Sequence, residues 1–365
     1  MSIKYASYHG LHEHIAMRVM FQYFGKKFVD LPDLSDKMLR WGEAHAPEYS
    51  CFPLKVYLGF YKELADKGVT DFFVYGVTSN RTCRYMDLWE GSKKLLAENG
   101  YKINMHYWGG FGGYKNIFEQ LQNVMGKQPV HKLVLGILAY SDALLATDKL
   151  NDEANILRPR EIVSGSVDNW LKKWLEKLKK QKKPNKTIKV MEKGLKEAKN
   201  IAVDTEREIL KVVIAGDMFK IHEPFFHFDT IRKINKLGLE ARQPITFSLL
   251  FFGQNPIPFR SEFKKKFKLY QQKAKKYLQS VPASYLEISI GEIVEELEKG
   301  AKGIIHFQSF GCMPDILLKP IIDRIAKDYN VPVMHFMRDT HASDAAYQTR
   351  LEAFADLIKK KNSKR

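Results

Sequence analysis

Gly303-Ile-Ile-His-Phe-Gln-Ser-Phe-Gly-Cys-Met-Pro314 is the stretch on which the fold turns. Its apolar run predicts a short buried β-strand, Gly311 permits a tight turn, and a helix follows from Asp315 to about Lys327 with Pro314 suited to its first position. Cys312 then sits where a parallel sheet hands over to a helix N-terminus. Free N–H groups and the helix dipole favour a thiolate or an anion there. The two other cysteines read into similar places. Cys51 stands two residues before Pro53, at the start of a helix running to Gly68. Cys83 ends the polar turn after the apolar run Asp71-Phe-Phe-Val-Tyr-Gly76.

Working outward, strand-like and helix-like segments alternate. Residues 11–25 have helical spacing of apolar groups, and Phe28-Val29 resembles a short strand. Tyr101 to His106 is a predicted strand, followed by the glycine-rich Trp108-Gly-Gly-Phe-Gly-Gly113 and a helix from Tyr114 to Val124. A glycine-rich loop before a helix can cradle phosphate, but this one lacks the dinucleotide spacing and its partner acid, so a tight turn explains it as well. From Lys132 to about Asn200 the pattern is helical. A second α/β unit opens with the strand Lys211-Val-Val-Ile-Ala-Gly216, a helix from Phe228 to Leu237, and Ile245 to Phe252, which suits a strand or a core helix. A basic helix from Phe259 to Leu278, a central strand over Val331 to Phe336, the loop Arg338 to Asp344 and a closing helix complete the chain. Such alternation predicts an α/β fold with mostly parallel sheets, whose ligands bind beyond the strands' C-terminal ends. The expected division is an N-terminal α/β domain at 1–140, a lysine-rich helical connector at 141–205 and a C-terminal α/β domain at 206–365.

With 365 residues, 45% hydrophobic and 12% aromatic, the chain has material for more than one core. It has no run of about 18 uncharged apolar residues, and its first residues lack the apolar stretch of a signal peptide, so the expectation is a cytoplasmic protein without a membrane span. Three cysteines are too few for a disulfide framework. The net charge of +17 owes much to Lys172–Lys199, where twelve lysines face three glutamates. Trp170, Trp174 and Leu178 make this segment read as amphipathic helices with solvated faces, interrupted at Pro184-Asn185. A polyanion-binding surface is the sharper reading. No recognised RNA- or DNA-binding motif accompanies it, so nucleic acid is not the expected partner.

Free cysteines are most often small buried hydrophobes. Three at strand-to-helix turns also suit a soft metal or an iron–sulfur cluster, and three ligands leave one iron of a [4Fe–4S] cube open to water or substrate. Zinc is the rival, with His306 or His335 as fourth ligand, although the short Cys-x-x-Cys spacing of structural zinc is missing. No cysteine–histidine pairing for nucleophilic catalysis stands out. His12 and His14, two apart, face different sides of a helix and do not suggest a metal site.

Several pieces together resemble one family: Ser50-Cys-Phe-Pro-Leu-Lys55, Thr82-Cys-Arg84, Leu157-Arg-Pro-Arg-Glu161 with Gly165, Val213-Ile-Ala-Gly-Asp217, Phe310-Gly-Cys-Met-Pro314 and Thr349-Arg-Leu-Glu-Ala-Phe354. The chain resembles the iron–sulfur subunits of the 2-hydroxyacyl-CoA dehydratase / benzoyl-CoA reductase family, in the 2-hydroxyglutaryl-CoA dehydratase-like, CoA-enzyme-activase-associated branch. The resemblance implies two Rossmann-like domains with a [4Fe–4S] cluster between them, held by Cys51, Cys83 and Cys312. It implies an ATP-hydrolysing activator that injects a low-potential electron, a related second subunit or a homodimer, and an acyl-CoA substrate undergoing radical dehydration or reduction. Asp339, His341, Ser343 and Arg350 become candidates for the neighbouring loop. The alternative is a non-catalytic iron–sulfur electron carrier or accessory protein working with an ATPase. Two positions depart from the family pattern. Asn80-Arg-Thr-Cys83 stands where relatives often carry Cys-x-x-Cys, and Asp339-Thr340 where they often show Asp-Glu.

Overall fold

The computed structural model describes residues 4–7, 13–75, 85–108, 113–243, 246–254, 260–279 and 286–363. Cys83 and its turn, the glycines of 109–112, and His12 lie outside the described residues. The fold is mixed α/β with two parallel sheets. The first has the order β1 (Tyr5–Ala6), β2 (Asp71–Tyr75), β3 (Asn104–Trp108). Phe28 adds an isolated parallel bridge on the free side of Tyr5, which is all that forms of the short strand expected there.

The second sheet contains β4 (Leu210–Gly216), β5 (Leu239–Arg242), β6 (Ile304–Ser309) and β7 (Val333–Arg338), in the spatial order β5-β4-β6-β7. All six residues of β6 are buried, as suits a strand covered on both faces. The chain runs outward from β4 to β5, then returns past β4 to place β6. The winding therefore reverses between β4 and β6, and a crevice opens beyond their C-terminal ends. Gly216 closes β4 onto its neighbour: it has φ 142°, and a Cβ there would lie 2.6 Å from the Phe307 carbonyl oxygen.

The expected central strand at Val331–Phe336 is corrected by this order. β7 lies at the sheet edge and continues to Arg338, and its burial alternates because one face is less covered. The apolar run from Ile245 resolves as the helix Phe247–Gln254. Its start is fixed by Thr246 Oγ1, which accepts from Leu249 N at 3.1 Å, and by Asp148, which accepts from Ser248 N at 2.8 Å. The helix predicted from Phe228 begins at Thr230, because Phe228 and Asp229 take left-handed conformations.

Between the sheets in sequence lies a helical layer. The helix Val130–Leu157 runs unbroken through residues 140 and 141, and Ser166–Lys179 and Lys186–Ala198 pack against it. Trp170, Leu171, Trp174 and Leu178 face inward, with Trp170 Nε1 donating to the Gly194 carbonyl at 3.0 Å. The lysines occupy the outer face. By length and hydropathy Val130–Arg160 could cross a membrane, yet 56% of its apolar window is buried inside the protein. One apolar cluster extends from the first sheet into β4–β7, and Phe226 joins the halves by meeting Phe52 at 5.7 Å and Tyr57 at 6.0 Å.

Candidate functional site: two cysteines at adjoining helix starts

Cys51 and Cys312 occupy the same local motif. Each is the N-cap of a helix, Phe52–Asp66 and Met313–Asp328, and each is followed by an x-Pro pair. Pro314 thus takes the second helical position, one later than expected. A proline there removes only an N–H that the helix leaves unpaired. The first-turn N–H groups at Leu54 and Asp315 favour the thiolate forms of Cys51 and Cys312, although among the described residues neither sulfur accepts a capping hydrogen bond.

Backbone contacts bring the two starts together. Phe52 N donates to the Phe310 carbonyl at 3.2 Å, and Phe310 N donates to the Arg338 carbonyl at 3.0 Å. Gly311 makes this approach possible with φ 73°, since a Cβ there would lie 3.2 Å from Cys51 Cα. Both thiols are pushed above their ordinary pKa, chiefly by burial. The helix N–H groups and Lys220 work in the opposite direction.

Lys220 comes from the short helix Met218–His222 after β4, across the crevice from Cys312. Its Nζ lies 3.5 Å from Cys312 Sγ and forms an ion pair with Asp315. Only 2% of Lys220 and 1% of Asp315 is exposed. Burial opposes the lysine's charge, but Asp315, Cys312 and Asp217 outweigh it and hold the ammonium above its ordinary pKa. Asp315 Oδ2 also accepts from Ser309 N at 2.9 Å, which fixes the pair to the end of β6. A second buried cation stands beside Cys51's neighbour. Arg338 lies over the rings of Phe52, Phe225 and Phe228 at 5.1, 5.5 and 3.7 Å. Its Nη1 donates to the Ala342 carbonyl, while its buried Nε has no hydrogen-bond partner among the described residues.

The remaining predicted residues divide. Asp339 and His341 line a cavity of about 300 Å³ together with Ser50, Phe52, Lys55 and Phe310, directly beside the cysteine loops. Ser343 and Arg350 do structural work: Ser343 Oγ accepts from Ala346 N at 3.2 Å at the start of the last helix, and Arg350 donates to the His335 carbonyl at 2.7 Å. The histidines of the zinc alternative pair with each other, Nδ1 to Nδ1 at 3.0 Å, and His335 Nε2 meets Asp323 at 2.7 Å. Burial first, then His335 and Lys220, holds His306 well below the ordinary histidine pKa. A larger cavity of about 500 Å³ lies between the helical layer and the segment after β4, lined by His14, Arg158, Asp168, His222, His227 and Arg232. The smaller of these two cavities is the one lined by the residues flanking Cys51 and by Phe310 of the Cys312 turn.

Sequence reasoning missed Lys220, Asp315 and Arg338. Lys220 carried a faint signal, three residues after Asp217 at a strand end. Asp315 entered the sequence reading only as the start of a helix, and acidic residues are common in a first helical turn.

No known family model matches the chain, and no curated protein is significantly similar to it. Among the described residues no group of three or more His, Cys, Asp or Glu is arranged to hold a metal ion; Cys83 lies outside them. The surroundings of the two described cysteines nevertheless fit an anionic, thiolate-ligated centre. The sulfurs adjoin helix N-termini, an ammonium touches one of them, and a buried guanidinium stands behind the other's loop.

Proposed function

We propose that this protein is an iron–sulfur redox protein of the 2-hydroxyacyl-CoA dehydratase type, with Cys51, Cys83 and Cys312 as ligands of a [4Fe–4S] cluster. The observation that carries the reading is the convergence of Cys51 and Cys312 at adjoining helix starts in a buried cationic setting. On this reading residues 1–140 and 206–365 are two Rossmann-like units, residues 141–205 are the helical layer between them, and the protein works in the cytoplasm. The bound cluster supplies one-electron transfer at low potential, received from an ATP-hydrolysing activator and passed to an acyl-CoA, with a related subunit or a second copy completing the enzyme. The chain's own residues bind and insulate. Lys220 and Arg338 offset negative charge, the free N–H ends of the two helices favour the thiolates, and the buried Phe52 ring limits water. The cavity at Asp339 and His341 is where the reacting end of the acyl group is held.

Anaerobic purification with iron and acid-labile sulfide analysis tests this, together with an EPR spectrum after reduction. About four irons and four sulfides per chain are expected for a cube, lost in Cys51→Ser and Cys312→Ser. Protein that holds neither iron nor sulfide after reconstitution removes the proposal. Turnover of a 2-hydroxyacyl-CoA with ATP and the activator separates an enzyme from an electron carrier.

A further inference from the structure

We propose that Lys220 is a positioning residue that holds Cys312 as a hydrogen-bonded thiolate ligand and raises the reduction potential of the cluster it serves. This rests on the cluster reading above and adds to it a residue that controls how readily the electron is accepted. The geometry is specific. Lys220 stands on the segment after β4 and Cys312 on the turn after β6, so the Nζ–Sγ contact of 3.5 Å spans the crevice where the winding reverses. Asp315 is fixed by Ser309 N–H and holds the ammonium in place, and solvent reaches neither partner to any extent.

Removing two charges from water is expensive, and an apolar pair of similar volume often fills such a space at no loss of stability. An ion pair kept there with one N–H directed at sulfur is therefore better explained by the sulfur than by folding. Reduction adds an electron to the cluster, and an ammonium against a ligand sulfur stabilises the more negative state. Asp315 acts in the opposite sense, because it draws the ammonium's charge away from the sulfur and adds its own negative charge nearby.

The two residues therefore make opposite predictions. Iron-loaded Lys220→Met should be harder to reduce by about tenfold in the reduction equilibrium, about 59 mV for a one-electron couple. Asp315→Asn keeps an acceptor for Ser309 N–H and should be easier to reduce. The measurement is a dithionite titration with redox mediators followed by EPR, on wild type and both variants with iron content determined in each. Shifts of opposite sign support the assignment, since a merely structural pair would not separate them. Equal potentials, or shifts of the same sign, in fully loaded protein overturn it and leave the cluster itself standing. Wild type without iron after reconstitution overturns both readings. Should Lys220→Met fail to fold or load because Asp315 is stranded, the double variant Lys220→Met/Asp315→Asn decides. It leaves no stranded charge, and it should still be harder to reduce than wild type; a potential equal to wild type overturns the assignment.

Discussion

The lysines of 172–199 and the single Lys220 use the same side chain in opposite ways. Most of the former stand in water along the outer face of two helices. Lys173 meets Glu197 at 2.7 Å and Lys179 meets Glu176 at 2.6 Å, pairs of the kind that contribute about 0–1 kcal/mol. Lys177 also lays its ammonium over Trp174, 3.9 Å from the ring centre, and so shields the apolar seam beneath. Lys220 is sealed between two strand ends with one carboxylate and one sulfur. The outer lysines together supply much of the net charge of +17, whereas the charge of the inner one is cancelled locally by Asp315. What a charge does here depends on whether water can reach it.

Breaking the inner pair should give the largest effect. Lys220→Ala strands Asp315 without its cation and should destabilise the protein by roughly 3–5 kcal/mol, read from the urea midpoint with Asp315→Asn added back as partial rescue. A loss below about 1 kcal/mol would place this pair with the surface ones. Next comes a change that involves no charge. Gly311→Ala forces a side chain into a left-handed position against Cys51 Cα, which should cost about 1–2 kcal/mol or more by the same measurement.

Two buried histidines extend the comparison to pH. Burial first, aided by His222, Lys233 and Arg232, pushes His227 down to about 3, and His306 is lowered too. Both are neutral in the folded protein, whereas the unfolded chain protonates them near the ordinary value of 6.5. The contribution of His227 is thus fully present above pH 6.5 and is lost as pH falls toward 3, and that of His306 is lost in the same direction. His227 should add a slope of about 1.4 kcal/mol per pH unit within that window. His227→Gln should flatten the acid limb of a stability–pH curve, and an unchanged limb would mean that other groups control acid unfolding. The smallest effect belongs to the outer face: Lys182→Ala should shift stability by less than about 0.5 kcal/mol.

These contrasts explain what the sequence could and could not disclose. The path from β6 through Gly311 to Cys312 and Pro314 was legible because strand, turn and helix start lie within a dozen residues and each has a local signal. The lysine-rich helices were legible for the same reason, since Trp170, Trp174 and Leu178 recur at helical spacing. Lys220 was not, because Asp315 lies 95 residues further on and nothing near Lys220 marks it as buried. The edge position of β7 was equally hidden: Val331 to Phe336 is as apolar as an inner strand, and only the pairing order shows which side is left open. The run ending at Phe252 had no period to read, so contacts from Asp148 and Thr246 decided its helix.

The meeting of Phe52 with Phe310 also sets a schedule. Cys51 and Cys312 lie about 260 residues apart, so at ~5–20 residues per second the first is synthesised roughly ten to fifty seconds before the second. Throughout that interval Cys83 is the one other thiol the chain has made. Any centre that needs both sulfurs is completed only after the strand-to-helix turn at Cys312 has been made and has come back against the helix start at Cys51.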